Sequence, residues 1–219
     1  MEEEASATPD RFDNRERYAA LMEVVRVRMT NRAFAPHEVP REHFEMILEA
    51  ARQSPSGANS QPWHFIVIRD REAKRRLGQW YLDSWRHMVA AIGDAASSES
   101  YRSGGDLARQ MKDIPVLILA CVNQGASTMG SSIYPAVQNL MLAARALGLG
   151  TVLTTNHMRF EQEVKAFLGI PEDVDTAALI PIGYPAEGVR FGGSRRKPLT
   201  EVVFYDRWGR QPASEQRGS

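Results

Sequence analysis

Apolar residues recur at the three-to-four-residue spacing of amphipathic helices in several stretches of the chain. The pattern predicts helices over about 16–30, 41–53, 77–92 and 133–147, with a shorter fifth over 160–168. Gly78 lies inside the third stretch and is expected to interrupt that helix. Gly148 and Gly169 directly follow helices, and glycine is the residue that most often ends a helix in the left-handed conformation.

Shorter apolar runs predict five strands, over 64–69, 115–122, 151–155, 178–183 and 202–204. Two of these runs are apolar at nearly every position, which is typical of strands covered on both faces. Helices and strands alternate along the chain. The expected fold class is therefore α+β, a three-layer α-β-α sandwich around a mixed sheet.

Length and composition are those of an ordinary globular protein, with 219 residues, 43% hydrophobic and 25% charged. No linker or repeat divides the chain, so we expect a single domain over 15–208, with flexible tails at 1–14 and 209–219. The N-terminus lacks the apolar segment of a secretion signal, and the run 116–122 is too short to cross a membrane. These features predict a cytoplasmic protein with no membrane partner.

Charge and cysteine content exclude several classes of function. Lys+Arg and Asp+Glu both number 27, and this balance argues against a nucleic-acid partner but permits a local pocket for one small anion. The single cysteine, Cys121, excludes an intramolecular disulfide and is expected to be a buried core thiol. The five histidines are scattered, so no metal site is expected.

Two basic clusters are candidates for anion binding. In the first, Arg28 and Arg32 are four residues apart, so on a helix they would share a face and could hold a phosphate beside the Thr30 hydroxyl. The alternative is a solvated helix end whose arginines offset the helix dipole. The second cluster, 195–197, is by itself typical of a solvated loop, but the two clusters could close on one phosphate.

The polar loop 54–64, SPSGANSQPWH, is rich in hydroxyls, amides and small residues. Such a loop allows backbone N–H groups and side-chain amides to approach a planar polar ring. The alternative is an ordinary helix-to-strand connection, because these are also the residues that form turns.

Motifs of directly catalytic chemistry are absent from the sequence. Gly148-Leu149-Gly150 begins like a dinucleotide-binding fingerprint, but it lacks the third glycine and follows a helix. The chain has no P-loop, HExxH or GxSxG motif. The aromatic residues Trp80, Tyr81 and Trp85 are expected in the core or at a subunit contact.

Four segments, 30–34, 54–65, 136–150 and 196–199, together resemble the FMN-dependent nitroreductase superfamily. They are TNRAF, SPSGANSQPWHF, AVQNLMLAARALGLG and RKPL, and their order and spacing hold over about residues 17–205. The resemblance implies a nitroreductase-like sandwich with a mostly antiparallel sheet. It also implies a homodimer formed through long helices, with two FMN sites built from both subunits.

Carried over by position, the resemblance assigns three groups of residues to FMN. The phosphate and ribityl contacts are Arg28, Met29, Thr30 and Arg32, with Arg196 and Arg195 as a second phosphate clamp, and the loop beside the flavin ring supplies Pro55, Ser56, Gly57 and Asn59. Thr154 and Thr155 are the third group. They stand where many members carry an aromatic residue or a Pro–acidic pair, which bears on hydrogen bonding near the ring and on substrate preference.

The implied function is an FMN-dependent oxidoreductase that uses NAD(P)H to reduce a small organic acceptor, such as a nitroaromatic or quinone, in ping-pong order. The cofactor carries this chemistry, so no catalytic side chain is expected. Three alternatives remain at this stage. They are another flavin reaction (reductive dehalogenation, dehydrogenation or flavin fragmentation), a flavin-sequestering or sensing protein, and a structural dimer with an empty cleft.

Overall fold

Two central strands, β2 (Val116–Asn123) and β4 (Val174–Gly183), are buried on both faces in the computed structural model, which describes residues 14–125 and 129–210. The edges are β1 (Trp63–Ile68) and β3 (Gly150–Thr151), and the order is β1-β2-β4-β3 with antiparallel neighbours. Among the described residues, the parallel pairing is an isolated bridge between Thr30 and Thr151. Most of the two predicted tails lies outside the described residues.

Helices cover both faces of this sheet. In chain order they are α1 (Arg15–Val27), α2 (Arg41–Arg52), α3 (Arg71–Ile92), α4 (Glu99–Gln110), α5 (Met129–Ala146), α6 (Glu161–Leu168) and α7 (Leu199–Val202). Helices α2 and α5 bury their apolar faces on one side, and α3, α4 and α6 bury theirs on the other. The predicted α+β class and its three layers are confirmed.

The alternation of side chains along β2 supplies both halves of the core. Ile118 and Ala120 face α2 and α5, whereas Leu119 and Cys121 face the α3–α4 side, as expected for successive residues of a strand. Cys121 is the buried core thiol that the sequence predicts. Burial raises its pKa to about 12, so at neutral pH it is a protonated thiol and not a nucleophile.

Both predicted glycine caps are confirmed. Gly148 has a φ of +83°, and the Leu149 N–H donates to Ala144 O at 2.9 Å after α5 ends. Gly169 has a φ of +68° and its N–H donates to Lys165 O at the end of α6.

Three helix predictions need correction. Helix α3 continues through Gly78, which permits a close approach: a Cβ there would lie 3.0 Å from the Lys112 backbone nitrogen. Helix α4 was not predicted, because Gly104 and Gly105 dilute its apolar pattern. Helix α1 ends at Val27 instead of residue 30.

The strand predictions are correct at the centre of the sheet and weaker at its margins. Strand β3 is shorter than predicted, although Thr154 forms an isolated bridge to Leu179, and β4 begins four residues earlier, at Val174. The predicted strand 202–204 is wrong. Pro198 precedes a helical turn there, closed by the Val203 N–H donating to Leu199 O at 2.8 Å, and no described strand is paired with it.

We expect Leu119→Ala to lower the free energy of unfolding by about 2–5 kcal/mol, since Leu119 is fully buried between β2 and the α3–α4 layer. Urea denaturation measures the change. Met46→Ala is the matched control on α2, where the side chain is 48% exposed, and should change stability by no more than about 0.5 kcal/mol. Equal effects of the two substitutions would contradict this description of the core.

Candidate functional site

The first basic cluster is carried by an extended segment, not a helix. Arg28 has φ −68° and ψ 112°, so the prediction that Arg28 and Arg32 share a helix face is wrong. The Asn31 N–H donates to Thr151 O at 2.9 Å, and Thr30 bridges the same residue. Alternate residues of an extended chain point the same way, which would place Arg28 and Arg32 on one side, opposite the buried Asn31.

Asn31 fixes this segment against the edge of the sheet. Its side chain is 2% exposed and occupies the space above Gly150, where a Cβ would lie 2.4 Å from Asn31 Nδ2. Within the described residues, neither side-chain amide atom of Asn31 has a hydrogen-bond partner. Gly150 therefore has a steric role in seating the arginine segment.

The segment that precedes the second basic cluster contacts the segment of the first. The Gly192 N–H approaches Met29 Sδ at 3.2 Å, and a Cβ on Gly192 would contact Val27. Arg195 and Arg196 follow this contact after three and four residues, and both are exposed. The structure thus brings the chain just before the second cluster against the segment that carries the first.

These arginines have no acidic partner in the part of the chain that the structure describes, unlike several arginines on the helices. Arg41 pairs with Glu45 at 2.8 Å and Arg109 with Asp106 at 2.6 Å, each within one turn. In residues 14–125 and 129–210, the four arginines of the two clusters form no ion pair with a carboxylate; they are Arg28, Arg32, Arg195 and Arg196. A guanidinium group without a carboxylate partner can bind an anion instead, since its hydrogen-bond donors suit phosphate oxygens.

A cavity of about 420 Å³ opens beside this basic region, between the 152–156 segment and the α3–α4 pair. Arg32 lines it together with Thr154 and Thr155, so three of the predicted residues meet here. Its walls include the aromatic side chains of Tyr81, Trp85 and Tyr101. The volume is in the range of small-molecule sites.

Thr154 and Tyr81 form the polar floor of the cavity. The Thr154 hydroxyl donates to Leu179 O at 3.0 Å, and the two backbones exchange further bonds at 3.1 and 2.9 Å. Burial raises the pKa of the Tyr81 phenol, and the neighbouring side chains of Thr154 and Asn156 partly offset this rise. Tyr81 therefore remains a neutral hydrogen-bonding group at physiological pH.

The sequence predicts Tyr81 and Trp85 in the core or at a subunit contact, and it does not mark them as cavity residues. Tyr81 is indeed 2% exposed and Trp85 packs against the core, yet both also line the cavity. Helical spacing marks a buried face but cannot distinguish the part of that face which borders an opening. The tyrosine hydroxyl on this apolar helix face is the one sequence feature that could have indicated a cavity residue.

The polar loop 54–64 has a strained backbone between residues 58 and 61. Ala58, Asn59 and Gln61 have φ values of +51°, +53° and +45°, a region that favours glycine. The Gln61 N–H donates to Ser56 Oγ at 3.0 Å, and the Asn59 N–H donates to Ser56 O at 3.0 Å. Such strain is concentrated at functional sites, which favours a role beyond a simple connection.

This loop does not reach the cavity within its own chain. It runs into β1 at Trp63, which pairs with Val122 at one end of the sheet. The arginine segment joins Thr151, which pairs with Ile182 at the other end of β4 and on the opposite edge. The loop residues Pro55, Ser56, Gly57 and Asn59 are therefore separated from the basic region, and the predicted site divides into two sets.

A buried polar network anchors the segment that lines the cavity. His157 follows Asn156, is 1% exposed, and has its Nε2 3.1 Å from Thr176 Oγ1. The Thr176 hydroxyl donates to Glu161 Oε1 at 2.7 Å, so it accepts the Nε2–H of His157. Burial lowers the pKa of His157 to about 4, so the ring is neutral at physiological pH.

The described residues, 14–125 and 129–210, include no group of three or more His, Cys, Asp or Glu side chains that could hold a metal ion. Over the same residues, no helix combines the length and apolar character needed to cross a bilayer.

Comparison with known proteins identifies the family. Residues 25–184 match the Nitroreductase family. This chain belongs to that family. A Methanothermobacter thermautotrophicus protein, whose name combines NADH dehydrogenase and NAD(P)H nitroreductase, is 32% identical over 196 residues, covering 86% of this chain and 87% of the relative.

Two further nitroreductase-family relatives carry a different name. The iodotyrosine deiodinase of Thermotoga neapolitana is 26% identical over 170 residues, covering 75% of this chain and 88% of that protein. A crystal structure of oxidized iodotyrosine deiodinase bound to FMN and 3-iodo-L-tyrosine has a TM-score of 0.74 and 24% identity, covering 84% of this chain and all of that chain. The fold is therefore shared by relatives named for different reactions.

The buried histidine predicts a pH-dependent stability. The unfolded state protonates His157 near pH 6.5, whereas the folded state does so only near pH 4, so the free energy of unfolding decreases as the pH falls between these values. Between pH 7 and pH 5, the wild type should lose about 2 kcal/mol more than His157→Gln, which keeps a donor but does not titrate. Urea denaturation at both pH values measures the difference, and parallel losses would refute the assignment.

Proposed function

We propose that this chain is an FMN-dependent oxidoreductase that takes a hydride from NAD(P)H and reduces a small organic acceptor, such as a nitroaromatic or quinone. The observation that carries the proposal is a cavity of about 420 Å³ with aromatic walls, lined by Arg32, which has no carboxylate partner among the described residues. Membership of the Nitroreductase family supports it. So does the FMN bound in the iodotyrosine deiodinase structure that shares the fold.

The chemistry of the basic region fits the phosphate of FMN. Arg28, Arg32, Arg195 and Arg196 would hold the phosphate, because a guanidinium can donate two parallel hydrogen bonds to phosphate oxygens. Thr30 is exposed on the same segment and would add a hydroxyl, and Met29 lies where the segments of the two clusters meet. Thr154 and Thr155 would contact the flavin from the wall of the cavity.

FMN supplies the redox chemistry when bound, because it exchanges a hydride with a nicotinamide and with an acceptor. The residues of the chain provide position and electrostatics. The arginines neutralise the phosphate, and Tyr81 presents a neutral hydroxyl beside Thr154. We propose that NAD(P)H and the acceptor occupy the cavity in turn, which gives ping-pong kinetics and requires no catalytic side chain.

We further propose that the working unit is a homodimer. The strained loop and the arginine segment lie at opposite ends of one sheet, so a site that uses both needs a second copy of the chain. Helix α1 also exposes apolar side chains, with Tyr18 62%, Leu21 56% and Val25 39% exposed. Covering that face with a second copy would remove this apolar surface from water.

Reductive dehalogenation is the second candidate reaction. The Thermotoga relative named iodotyrosine deiodinase and the aromatic walls of the cavity favour it. In this reaction a C–I bond is replaced by C–H, with two electrons and one proton consumed and iodide released. Reduced holoprotein mixed anaerobically with 3-iodo-L-tyrosine should then yield tyrosine and iodide in equal amounts.

The purified protein decides between these roles. A yellow flavin spectrum, bleached by NADH or NADPH and restored by a nitroaromatic or quinone, supports the oxidoreductase. If iodotyrosine is the one tested acceptor that restores the bleached flavin spectrum, the result favours dehalogenation. Permanent loss of the flavin spectrum favours flavin fragmentation. FMN binding without turnover favours a sequestering role, and failure to bind FMN would refute the proposal.

Removing single guanidinium groups should weaken FMN binding. We expect Arg28→Ala and Arg196→Ala each to cost about 1–3 kcal/mol of binding free energy, or roughly 5- to 150-fold in Kd, through lost charge-assisted hydrogen bonds. Titration of the apoprotein, followed by quenching of flavin fluorescence, gives the Kd. Arg41→Ala, which removes an exposed arginine paired with Glu45, is the control and should leave the Kd within twofold. An unchanged Kd in both site variants would favour an empty cleft with solvated arginines.

A further inference from the structure

The indole of Trp85 lies directly against two consecutive glycines of α4. A Cβ built on Gly104 would lie 2.3 Å from Trp85 Cη2 and 2.8 Å from Cζ3, and one built on Gly105 would lie 3.3 Å from Nε1. The ring therefore spans both residues, with its six-membered part over Gly104. No side chain other than hydrogen fits at Gly104 while the indole remains in this position.

Trp85 and Gly104 are held face to face because α3 and α4 run antiparallel. Gly78 of α3 lies against Lys112 just beyond α4, while Trp85 lies against Gly104, so later residues of α3 meet earlier residues of α4. Both Trp85 and Gly104 line the cavity. One side of the indole is thus supported by the α4 backbone, and the cavity adjoins the ring.

Two adjacent glycines inside a helix need an explanation, since only proline is a poorer helix former. Neither glycine has a positive φ, so no turn or cap requires them. Contact with the indole accounts for both. At Gly104 the contact also determines how far the ring withdraws from the cavity.

We infer that Gly104 is a specificity-determining residue, which sets the largest ring system that the cavity admits by leaving room for the Trp85 indole against α4. This inference rests on the proposed function for the identity of the ligands, which are aromatic acceptors. A methyl group at Gly104 displaces the indole by about 1 Å or more toward the cavity, because ordinary contact begins at 3.4 Å.

The displaced atoms are at the far end of a flexible side chain, so the ring can move without unfolding the helix pair. Gly104→Ala should therefore narrow the cavity in a folded protein. Gly105→Ala is the matched control. It makes the same change one residue further along α4, but it requires the ring to yield by only a few tenths of an ångström and does not border the cavity.

The test compares acceptors that share a reducible group and differ in ring number, 1,4-benzoquinone and 1,4-naphthoquinone. Gly104→Ala should raise KM for naphthoquinone at least tenfold more than KM for benzoquinone. Gly105→Ala should change the ratio of these two KM values by less than threefold. Adding Trp85→Leu to Gly104→Ala should bring the ratio back to within threefold of wild type, since the obstructing ring is gone.

A second readout does not depend on turnover. Calorimetric titration with benzoate and 2-naphthoate measures binding to each variant, and Gly104→Ala should lose affinity for naphthoate at least tenfold more than for benzoate. Equal changes for one and two rings, equal effects of Gly104→Ala and Gly105→Ala, or no discrimination between the two carboxylates would overturn the inference. The flavin spectrum of the same preparations tests the proposed function separately. Absence of FMN binding refutes that function, whatever the ratio of the naphthoate and benzoate affinities.

Discussion

The pairing of residues 28–32 with Thr151 is the contact on which the candidate site depends. A single backbone hydrogen bond of 2.9 Å and the packing of Asn31 over Gly150 hold the segment beside the last strand of the sheet. Strand β3 is only two residues long, yet its neighbour β4 is buried at nearly every position, so the segment is attached next to the core of the sheet. The arginines thereby gain a fixed position without belonging to a helix or a long strand.

The position of these arginines matters because the rest of the chain carries balanced charge. The chain has no net charge, and several of its helical arginines, such as Arg41 and Arg75, pair with a glutamate within one turn. The four arginines of the two basic clusters have no such partner among the described residues. A protein that is neutral overall can therefore present a local excess of positive charge to one small anion, while its remaining surface offers little attraction to a polyanion.

The periodicity of apolar residues was sufficient to predict the layers of the fold, but it did not predict which residues line the cavity. The helices and central strands followed from the spacing of apolar residues because each buries one face or two. Helix α4 was missed because Gly104 and Gly105 serve a contact with Trp85, which lies on another helix. The helix interruption predicted at Gly78 is wrong for the same reason, because this glycine permits close packing against Lys112. The arginines were recognisable by residue type, but their spacing alone did not indicate the extended backbone at Arg28.

The separation of the strained loop from the arginine segment has a consequence for subunit complementation. In the proposed dimer each site combines the loop of one protomer with the arginines of the other. A protomer defective only in its loop and a protomer defective only in its arginines would each form an inactive homodimer. Their heterodimer would contain one site with both defects and one site with neither. Mixing equal amounts of the two inactive proteins, with random exchange of protomers, would then restore about a quarter of all sites, which a site contained within one chain could not do.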